Sequence, residues 1–375
     1  AVSPVLRKFT DGAPLDLVNI ESEAKLGLLK RALGVRRLGR ARMMELFRVA
    51  PMSAYDWTGE YFESGVLRAG LVLPAIAQTY APPRAPGTAA NVLISQGGAE
   101  LNVHGGAKAV IAALKKACDE LGVAIETGRA VEAVRVDGYR ATGVQFAGGD
   151  EVDASAVVCS GDPKTALLQL VPRGALPATT EQRMDNWRAR GTIAHLALAV
   201  ESEVELGDGA GRLLIADDLD DIERAFDAVK YRQCSERPVL DVSIAGAGAA
   251  PEGSSVISVR VHNAPPEHEG GYTDEVRSAL EKAALERLVE VIPEVGGKVV
   301  ASRLWCPPDL KREYRLAGGH LEHGEMGLDQ ILVRPVPECN GYKTPVEGMY
   351  LASSGSHPGG GFTGLPGALA AASIL

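Results

Sequence analysis

A glycine-rich turn near the C terminus places the strongest constraint on how this chain can fold. Residues 348–367 read G-M-Y-L-A-S-S-G-S-H-P-G-G-G-F-T-G-L-P-G, so an apolar run leads into clustered glycines and then into small residues. This order predicts a buried strand, a turn and a helix. Because glycine has no Cβ, the backbone of the turn can approach a flat ligand closely, and the helix start favours negative charge. A tightly packed structural turn fits the same pattern, and spacing alone does not distinguish the two.

The composition is that of a folded chain without a polyanionic partner. Of the 375 residues, 46% are apolar and 23% charged, which excludes a disordered, collagen-like or disulfide-scaffold protein. A net charge of −9 and an aromatic content of 5% argue against binding to nucleic acid. The five cysteines form no C-x-x-C pair, so we expect reduced thiols and a cytoplasmic location. We expect no membrane-spanning helix, because no run of 18 apolar residues occurs.

Hydrophobic periodicity and turn residues predict an α/β chain. Helices are predicted over residues 15–50, 53–80 (interrupted at Pro74), 107–121, 217–229 and 273–292. Strands are predicted over residues 124–127, 130–136, 143–146, 156–159, 192–200, 212–215, 239–244, 256–261 and 348–353. Residues 81–99 and 309–330 are predicted to be loops. The β-rich runs of residues 191–265 are typical of an antiparallel sheet that carries helices in a second domain.

Basic side chains fill the intervals between the apolar positions of residues 25–48. One interpretation is an amphipathic helix that lies on an anionic membrane surface, which would give a peripheral membrane contact. The alternative is a solvated helix face above a core.

Several other polar residues have competing interpretations. The sequence H-x-x-H at His320 and His323, with Glu322, Glu325 and Asp329 nearby, has the donors of a metal site, but a hydrogen-bonded polar loop is favoured and no metal is expected. His195 is interpreted as a core histidine and Asp162-Pro163 as a turn that ends a strand. A solvated helix face is the interpretation of Asp309, Lys311, Arg312 and Glu313.

Residues 334–367 resemble the C-terminal flavin motif of the phytoene desaturase-like FAD oxidoreductases. The segment reads R-P-V-P-E-C-N-G-Y-K-T-P-V-E, followed by the turn quoted above. Upstream segments agree with this family in the same order, at residues 52–64, 104–114, 122–134, 156–165 and 306–330. The resemblance therefore covers nearly the whole chain.

The resemblance implies FAD as the cofactor and assigns its contacts. The glycine elbow, defined as residues 354–364, would lie against the isoalloxazine and ribityl end. Its predicted contacts are Ser354, Gly355, His357, Gly359, Gly360, Gly361 and Gly364. At the adenine end the backbone of Val131 and Val134 is predicted to touch the cofactor, while both side chains are interpreted as ordinary core valines. Many relatives carry glycine in place of Ser354, which could crowd a flavin, and the branch often has alanine in place of Leu365.

The fold implied is α/β, a two-dinucleotide-binding-type FAD flavoprotein fold with a substrate domain of mostly antiparallel sheet and helices. The predicted segments are 1–100 (helical part of the substrate domain), 101–165 (FAD domain), 166–330 (substrate domain) and 331–375 (FAD domain). Family members open with a βαβ unit whose G-x-G-x-x-G turn grips the FAD pyrophosphate. No such motif follows a strand here, and Gly246-Ala247-Gly248 opens no helix pattern. We expect that this unit was removed, lies on another chain or has been lost.

The function implied is FAD-dependent oxidation or desaturation of a hydrophobic small molecule, with hydride transfer to the flavin. The sequence names no catalytic base. The alternative is a non-catalytic subunit or interaction module that keeps the scaffold without binding FAD tightly. A homo-oligomer or a partner chain that supplies the nucleotide-binding unit is expected in either case.

Overall fold

The computed structural model describes residues 14, 22–95, 103, 105–207, 211–245 and 250–375. Predictions for residues 15–21, 96–100 and 246–248 lie outside the described residues. The helices are α1 Ser22–Arg36, α2 Arg40–Val49, α3 Ala54–Gly59, α4 Gly65–Ile76, α5 Thr88–Ser95, α6 Gly106–Glu120, α7 Pro163–Thr165, α8 Ala178–Asp185, α9 Leu219–Lys230, α10 Asp274–Val291, α11 Pro307–Tyr314, α12 Leu328–Ile331 and α13 Leu365–Ile374. The strands are β1 Val131–Asp137, β2 Arg140–Phe146, β3 Glu151–Asp153, β4 Val157–Cys159, β5 Ile193–Val200, β6 Leu213–Ile215, β7 Leu240–Ile244, β8 Ser255–His262, β9 Val299–Trp305 and β10 Met349–Leu351.

A five-stranded antiparallel sheet forms one core, in the order β6-β7-β8-β5-β9. Along β5 every second side chain points into this core, so that Leu196 and Leu198 are almost fully buried, and α10 packs there through Leu280 and Leu288. The sequence predicted four of these five strands. It missed β9, because most of that strand is exposed and lacks a clear apolar alternation.

The helices α4, α5 and α9 pack together and form a second core, which we call the helical layer. Two predictions for this layer were wrong. The helix predicted over 53–80 is broken at residues 60–64 instead of at Pro74, which lies within α4 near its C-terminal end. The loop predicted over 81–99 contains α5, which has five buried residues. From residue 22 onward, the helical stretch predicted over 15–50 is present as α1 and α2, which are separated at residues 37–39.

A third core combines the meander β1-β2-β3 with the parallel pair β4–β10 and the π-helical turn Ala166–Leu170. The pair joins Val157 to Met349 and Cys159 to Leu351, so residues nearly 200 positions apart in the chain meet at the site. The strand predicted over 124–127 is absent, because these residues are exposed and pair with no strand among the described residues.

Two short helices, α11 and α12, lie in the predicted loop of residues 309–330. The interpretation of Asp309 as a solvated residue was wrong, since it is 4% exposed. Its carboxylate accepts hydrogen bonds from Nη1 of Arg277 at 2.5 Å and from the backbone N–H of Cys306 at 2.9 Å. Asp309 therefore anchors α11 to the long helix α10.

The site loop, defined as residues 317–327, is folded around the buried ring of His320. Its Nδ1 accepts from the backbone N–H groups of Glu322 at 3.2 Å and Gly324 at 3.3 Å. These two donors require a neutral imidazole with an unprotonated Nδ1. Burial lowers the pKa of His320 to about 4.

We predict that His320 makes the protein less stable in mild acid. The unfolded chain takes up a proton near the ordinary histidine pKa of 6.5, whereas the folded chain resists it down to about 4. The contribution of His320 is therefore present above pH 6.5 and is lost as the pH falls from 6.5 towards 4, by about 3 kcal/mol in total. In His320→Asn, the amide oxygen can accept from the same N–H groups but does not titrate.

The measurement is the free energy of unfolding of both proteins at several pH values between 7 and 4.5. His262, His323 and Asp162 titrate in both, so their contributions cancel in the difference. The wild type should lose stability faster than His320→Asn as the pH falls. Parallel curves would contradict the prediction.

Candidate functional site

The glycine elbow follows the C-terminal end of β10. Its first residues are mostly buried and its last residues are exposed. Gly355, His357 and Pro358 are buried, Ser354, Gly359 and Gly360 are half-buried, and Gly361 to Gly364 are exposed. The strand–turn–helix order was predicted, but α13 begins only at Leu365, beyond the clustered glycines. The N-terminal end of α13 is thus four residues from Gly361.

Arg334 lies directly beneath Gly359. Its guanidinium is completely buried and donates to the carbonyl oxygens of Glu325 at 2.9 Å, Gly324 at 3.1 Å and Gln330 at 3.3 Å. A Cβ at Gly359 would lie 2.6 Å from Nε of Arg334, and the φ angle of Gly359 is +77°. Position 359 therefore requires glycine for both space and backbone conformation.

Glu322 lies beside the next residue of the turn. A Cβ at Gly360 would lie 3.1 Å from Oε2 of Glu322, and the carboxylate accepts a hydrogen bond from the backbone N–H of Gly361. Burial raises the pKa of Glu322 despite this hydrogen bond. Burial also lowers the pKa of Arg334 to about 10, and Glu322 opposes that shift. A half-buried acid and a fully buried base therefore flank residues 359–361.

The start of the elbow packs on the turn that follows β4. A Cβ at Gly355 would meet the ring of Pro163 at 2.3 Å and the carbonyl oxygen of His323 at 3.0 Å. The carboxylate of Asp162 caps α7 by accepting from the N–H groups of Lys164 and Thr165. Burial raises the pKa of Asp162 and lowers that of His323, so both shifts favour the neutral forms.

Two adjoining clefts connect this turn to β1. One, of about 350 Å³, is lined by Val131, Val134, Asp162 and His323 among others. The second, of about 740 Å³, is lined by Val131, Lys164 and Arg315 among others. Val131 lines both clefts and Val134 lines the smaller one, whereas no residue of the glycine elbow lines either. The side chain of Val134 is 1% exposed and belongs to the core, whereas Val131 is half-buried in the clefts.

Of the remaining predicted residues, His357 is buried and supports the elbow, whereas Gly361 and Gly364 lie at the surface. The carbonyl oxygen of His357, a residue that is 2% exposed, accepts from the hydroxyl of Tyr342 at 3.2 Å. Gly361 and Gly364 have positive φ angles and are exposed, next to Phe362, which is 77% exposed. His357 thus holds the elbow from below, and residues 361–364 form its open side.

Sequence reasoning missed the roles of Arg334 and Glu322. Arg334 stands at the start of the recognised segment, and Glu322 was considered as a metal ligand or as part of a hydrogen-bonded polar loop. No group of three or more His, Cys, Asp and Glu residues that could hold a metal occurs within the described ranges. Trp187, whose indole donates to the carbonyl oxygen of His323 at 3.2 Å and lies under Arg334, gave no signal in the sequence.

Comparison with known proteins places this geometry in a family. The family model described as flavin containing amine oxidoreductase matches residues 54–373. Pyridine nucleotide-disulfide oxidoreductase domain-containing protein 2 of Mus musculus is 28% identical over 404 residues, which cover 99% of this chain and 69% of the mouse protein. Hydroxyneurosporene desaturase of Cereibacter sphaeroides is 24% identical, with 98% of this chain and 79% of that protein covered. All-trans-zeta-carotene desaturase of Myxococcus xanthus is 27% identical over 69% of this chain and 49% of its own length.

Solved structures share the fold at low sequence identity. An oxidoreductase from Methanosarcina mazei matches with a TM-score of 0.57 and 16% identity, over 95% of this chain and 73% of its own. A putrescine oxidase variant redesigned in cofactor binding matches with a TM-score of 0.54 and 13% identity, over all of this chain and 72% of its own. The α/β flavoprotein fold and the FAD cofactor predicted from the sequence are confirmed. Since the family model spans most of the chain, this protein belongs to the flavin containing amine oxidoreductases and is an FAD-dependent oxidoreductase.

Proposed function

We propose that this chain provides the flavin-ring and substrate side of an FAD-dependent dehydrogenase or desaturase that acts on a hydrophobic small molecule. The observation that carries the proposal is the open turn of residues 359–361, flanked by the buried Arg334 and the half-buried Glu322. The names of the carotenoid desaturases among the relatives support an apolar substrate. Apolar side chains next to the turn, Met326 and Phe362, agree with it.

The residues present fit a flavin ring at the elbow. Gly360 and Gly361 leave a surface without side chains, where a Cβ at 360 would fill the space beside Glu322 and Met326. Nε of Arg334 is buried and has no hydrogen-bond partner in the described structure. A positive group below the turn and the N-terminal end of α13 beyond it both favour a ring that gains negative charge.

When bound, FAD supplies the hydride-accepting chemistry. The protein's contribution is electrostatic and positional. Arg334, fixed by three carbonyl groups, holds a positive charge under Gly359. Glu322 holds a proton at its carboxyl group over a wider pH range than an exposed glutamate, because burial raises its pKa. The clefts beside Val131 are proposed to take the adenine end of the cofactor.

We further propose that a nucleotide-binding unit packs against α6 and β4. No residue of α6 is buried, and Ile111 and Leu114, three positions apart, are 60% and 58% exposed. The segment after it exposes Val123 and Ile125, which alternate as in a strand. Within the described residues β4 pairs only with β10, so its other edge is open next to the exposed Val158. Parallel strands are normally covered on both faces, which predicts an added strand and cover for α6.

We predict weak FAD binding by the 375-residue chain alone. Without the G-x-G-x-x-G unit, several charge-assisted hydrogen bonds to the pyrophosphate are missing, each worth roughly 1.5–3 kcal/mol. Three such bonds correspond to a loss of more than about a thousandfold in affinity. The measurement is an FAD titration of this chain and of the chain with the sequence encoded upstream restored.

Tight stoichiometric binding by the chain alone would overturn the proposed need for a further unit. If FAD does not bind even when the upstream sequence is restored, and the sample lacks absorbance near roughly 450 nm, the non-catalytic alternative is favoured.

We predict that Gly360→Val abolishes FAD binding in the form of the protein that includes the nucleotide-binding unit. The residue has a φ angle of +64° and a Cβ would be 3.1 Å from Glu322. Strain and lost contact with the ring should weaken binding roughly a hundredfold or more. Gly270→Val is the matched control, because Gly270 has a φ angle of +77° in open space. Equal FAD affinity of the two variants would contradict the placement of the ring.

We predict that Glu322 makes the bound flavin harder to reduce as the pH rises. Above its raised pKa the carboxylate is negative and disfavours the charge that the reduced ring acquires. Glu322→Gln should therefore have a higher midpoint potential than the wild type where the carboxylate is ionised, by roughly 30 mV or more, and the difference should shrink as the pH falls and the carboxylate takes up a proton. The exposed Glu347→Gln is the control. An offset that does not change with pH would refute the role of Glu322.

A further inference from the structure

Helix α2 covers one set of apolar side chains and exposes another. Met43 and Leu46 are half-buried and Val49 is 3% exposed, whereas Met44 and Phe47, three positions apart, are 58% and 62% exposed. Large apolar side chains on the solvent side of a helix are typical of a surface that a partner or a membrane covers. The exposed face of α2 therefore has no cover within the described chain.

Neighbouring elements extend this face. Helix α1 packs on α2 and exposes Leu29 and Leu33, four positions apart, to 56% and 41%. On the other side, the turn after α3 exposes Tyr61 and Phe62. Arg48 fixes this turn to α2 by donating to Glu60 at 2.7 Å, and the hydroxyl of Tyr61 bonds to Glu45. We define the apolar patch as Leu29, Leu33, Met44, Phe47, Tyr61 and Phe62.

Basic side chains accompany the patch. Residues 29–48 contain seven arginines and lysines and one glutamate, although the whole chain has a net charge of −9. Arg36, Arg37, Arg40 and Arg42 are exposed. Arg40 lies one helical turn from Met44 and two turns from Phe47, on the same side of α2. Arg48, which pairs with Glu45 and Glu60, is neutralised and does not contribute to this positive surface.

We propose that the apolar patch and these arginines dock the protein onto an anionic phospholipid surface, with α1 and α2 lying in the plane of the interface. Aliphatic and aromatic side chains on one face, with arginines beside them, are the features that bind a helix to the headgroup boundary. A second copy of the same surface is disfavoured, because it would place two positive clusters opposite each other. No helix in the described ranges is long and apolar enough to cross a bilayer. The proposal does not depend on the flavin.

The test is flotation of the purified chain with two kinds of phosphatidylcholine vesicle, one without phosphatidylserine and one in which about 30% of the lipid is phosphatidylserine. Both are tested at low salt and at about 1 M salt. We expect binding to the anionic vesicles at low salt only. Since each basic residue near such a surface contributes roughly fivefold to partitioning, Arg36→Gln/Arg40→Gln should reduce binding about thirtyfold. Phe47→Glu should reduce it at least about tenfold, because it removes an inserted ring and adds a negative charge.

Two variants serve as matched controls. Arg140→Gln/Arg303→Gln removes two exposed charges elsewhere, and Val300→Glu places a carboxylate at a position that is 58% exposed on β9. Both should bind vesicles like the wild type, and circular dichroism should show that all variants are folded. Absence of binding to anionic vesicles, equal binding to neutral ones, or equal losses in test and control variants would overturn the proposal. So would a Phe47-dependent dimer in sedimentation velocity without vesicle binding.

Discussion

The buried guanidinium of Arg334 connects the two segments that make the site. It has no solvent exposure, and three backbone carbonyl groups of residues 324–330 accept its hydrogen bonds, while its flat side faces Trp187 at 5.0 Å. A buried charge without such acceptors would be strongly destabilising. The site loop is therefore constrained to bring its carbonyl oxygens to Arg334. The elbow is constrained in turn, since only glycine fits above the guanidinium at position 359.

An ion pair between the buried Glu325 and the exposed Arg190 fixes the site loop to the antiparallel sheet. Glu325, which is 3% exposed, accepts from Nε of Arg190 at 2.7 Å and from its Nη2 at 3.0 Å. Arg190 lies just before β5, and its guanidinium also stacks on Tyr80 of the helical layer at 3.9 Å. The carbonyl oxygens of Gly324 and Glu325 also accept from Arg334. The contacts of Glu325 and Gly324 therefore link the sheet, Tyr80 and the arginine that lies under Gly359.

The charges of Arg334 and Glu322 at the elbow are destabilised by burial, and the same burial suits them to a ring that gains negative charge. Burial lowers the pKa of Arg334 and raises that of Glu322, so each charge is less stable there than in water. A ring that gains negative charge on reduction would lie above the positive Arg334 and beside the carboxyl group of Glu322, whose raised pKa favours the neutral form. Charged and neutral groups held in place by the fold are the condition for efficient electrostatic stabilisation.

Local patterns in the sequence determined the elements and the family. The apolar run before Gly355 predicted β10, alternation predicted β5, β7 and β8, and the glycine spacing identified the flavoprotein motif, because these features depend on residues close together in the chain. The strand β9 was missed because most of its side chains are exposed and its place in the sheet comes from pairing with β5. The helix α5 was missed because burial against α3 and α4, rather than its own periodicity, stabilises it. Only the tertiary structure decided that Arg334 lies under Gly359 and Glu322 beside Gly360, and that Met44 and Phe47 of α2 face outward. Sequence patterns record spacing along the chain, whereas these contacts arise from long-range packing between segments.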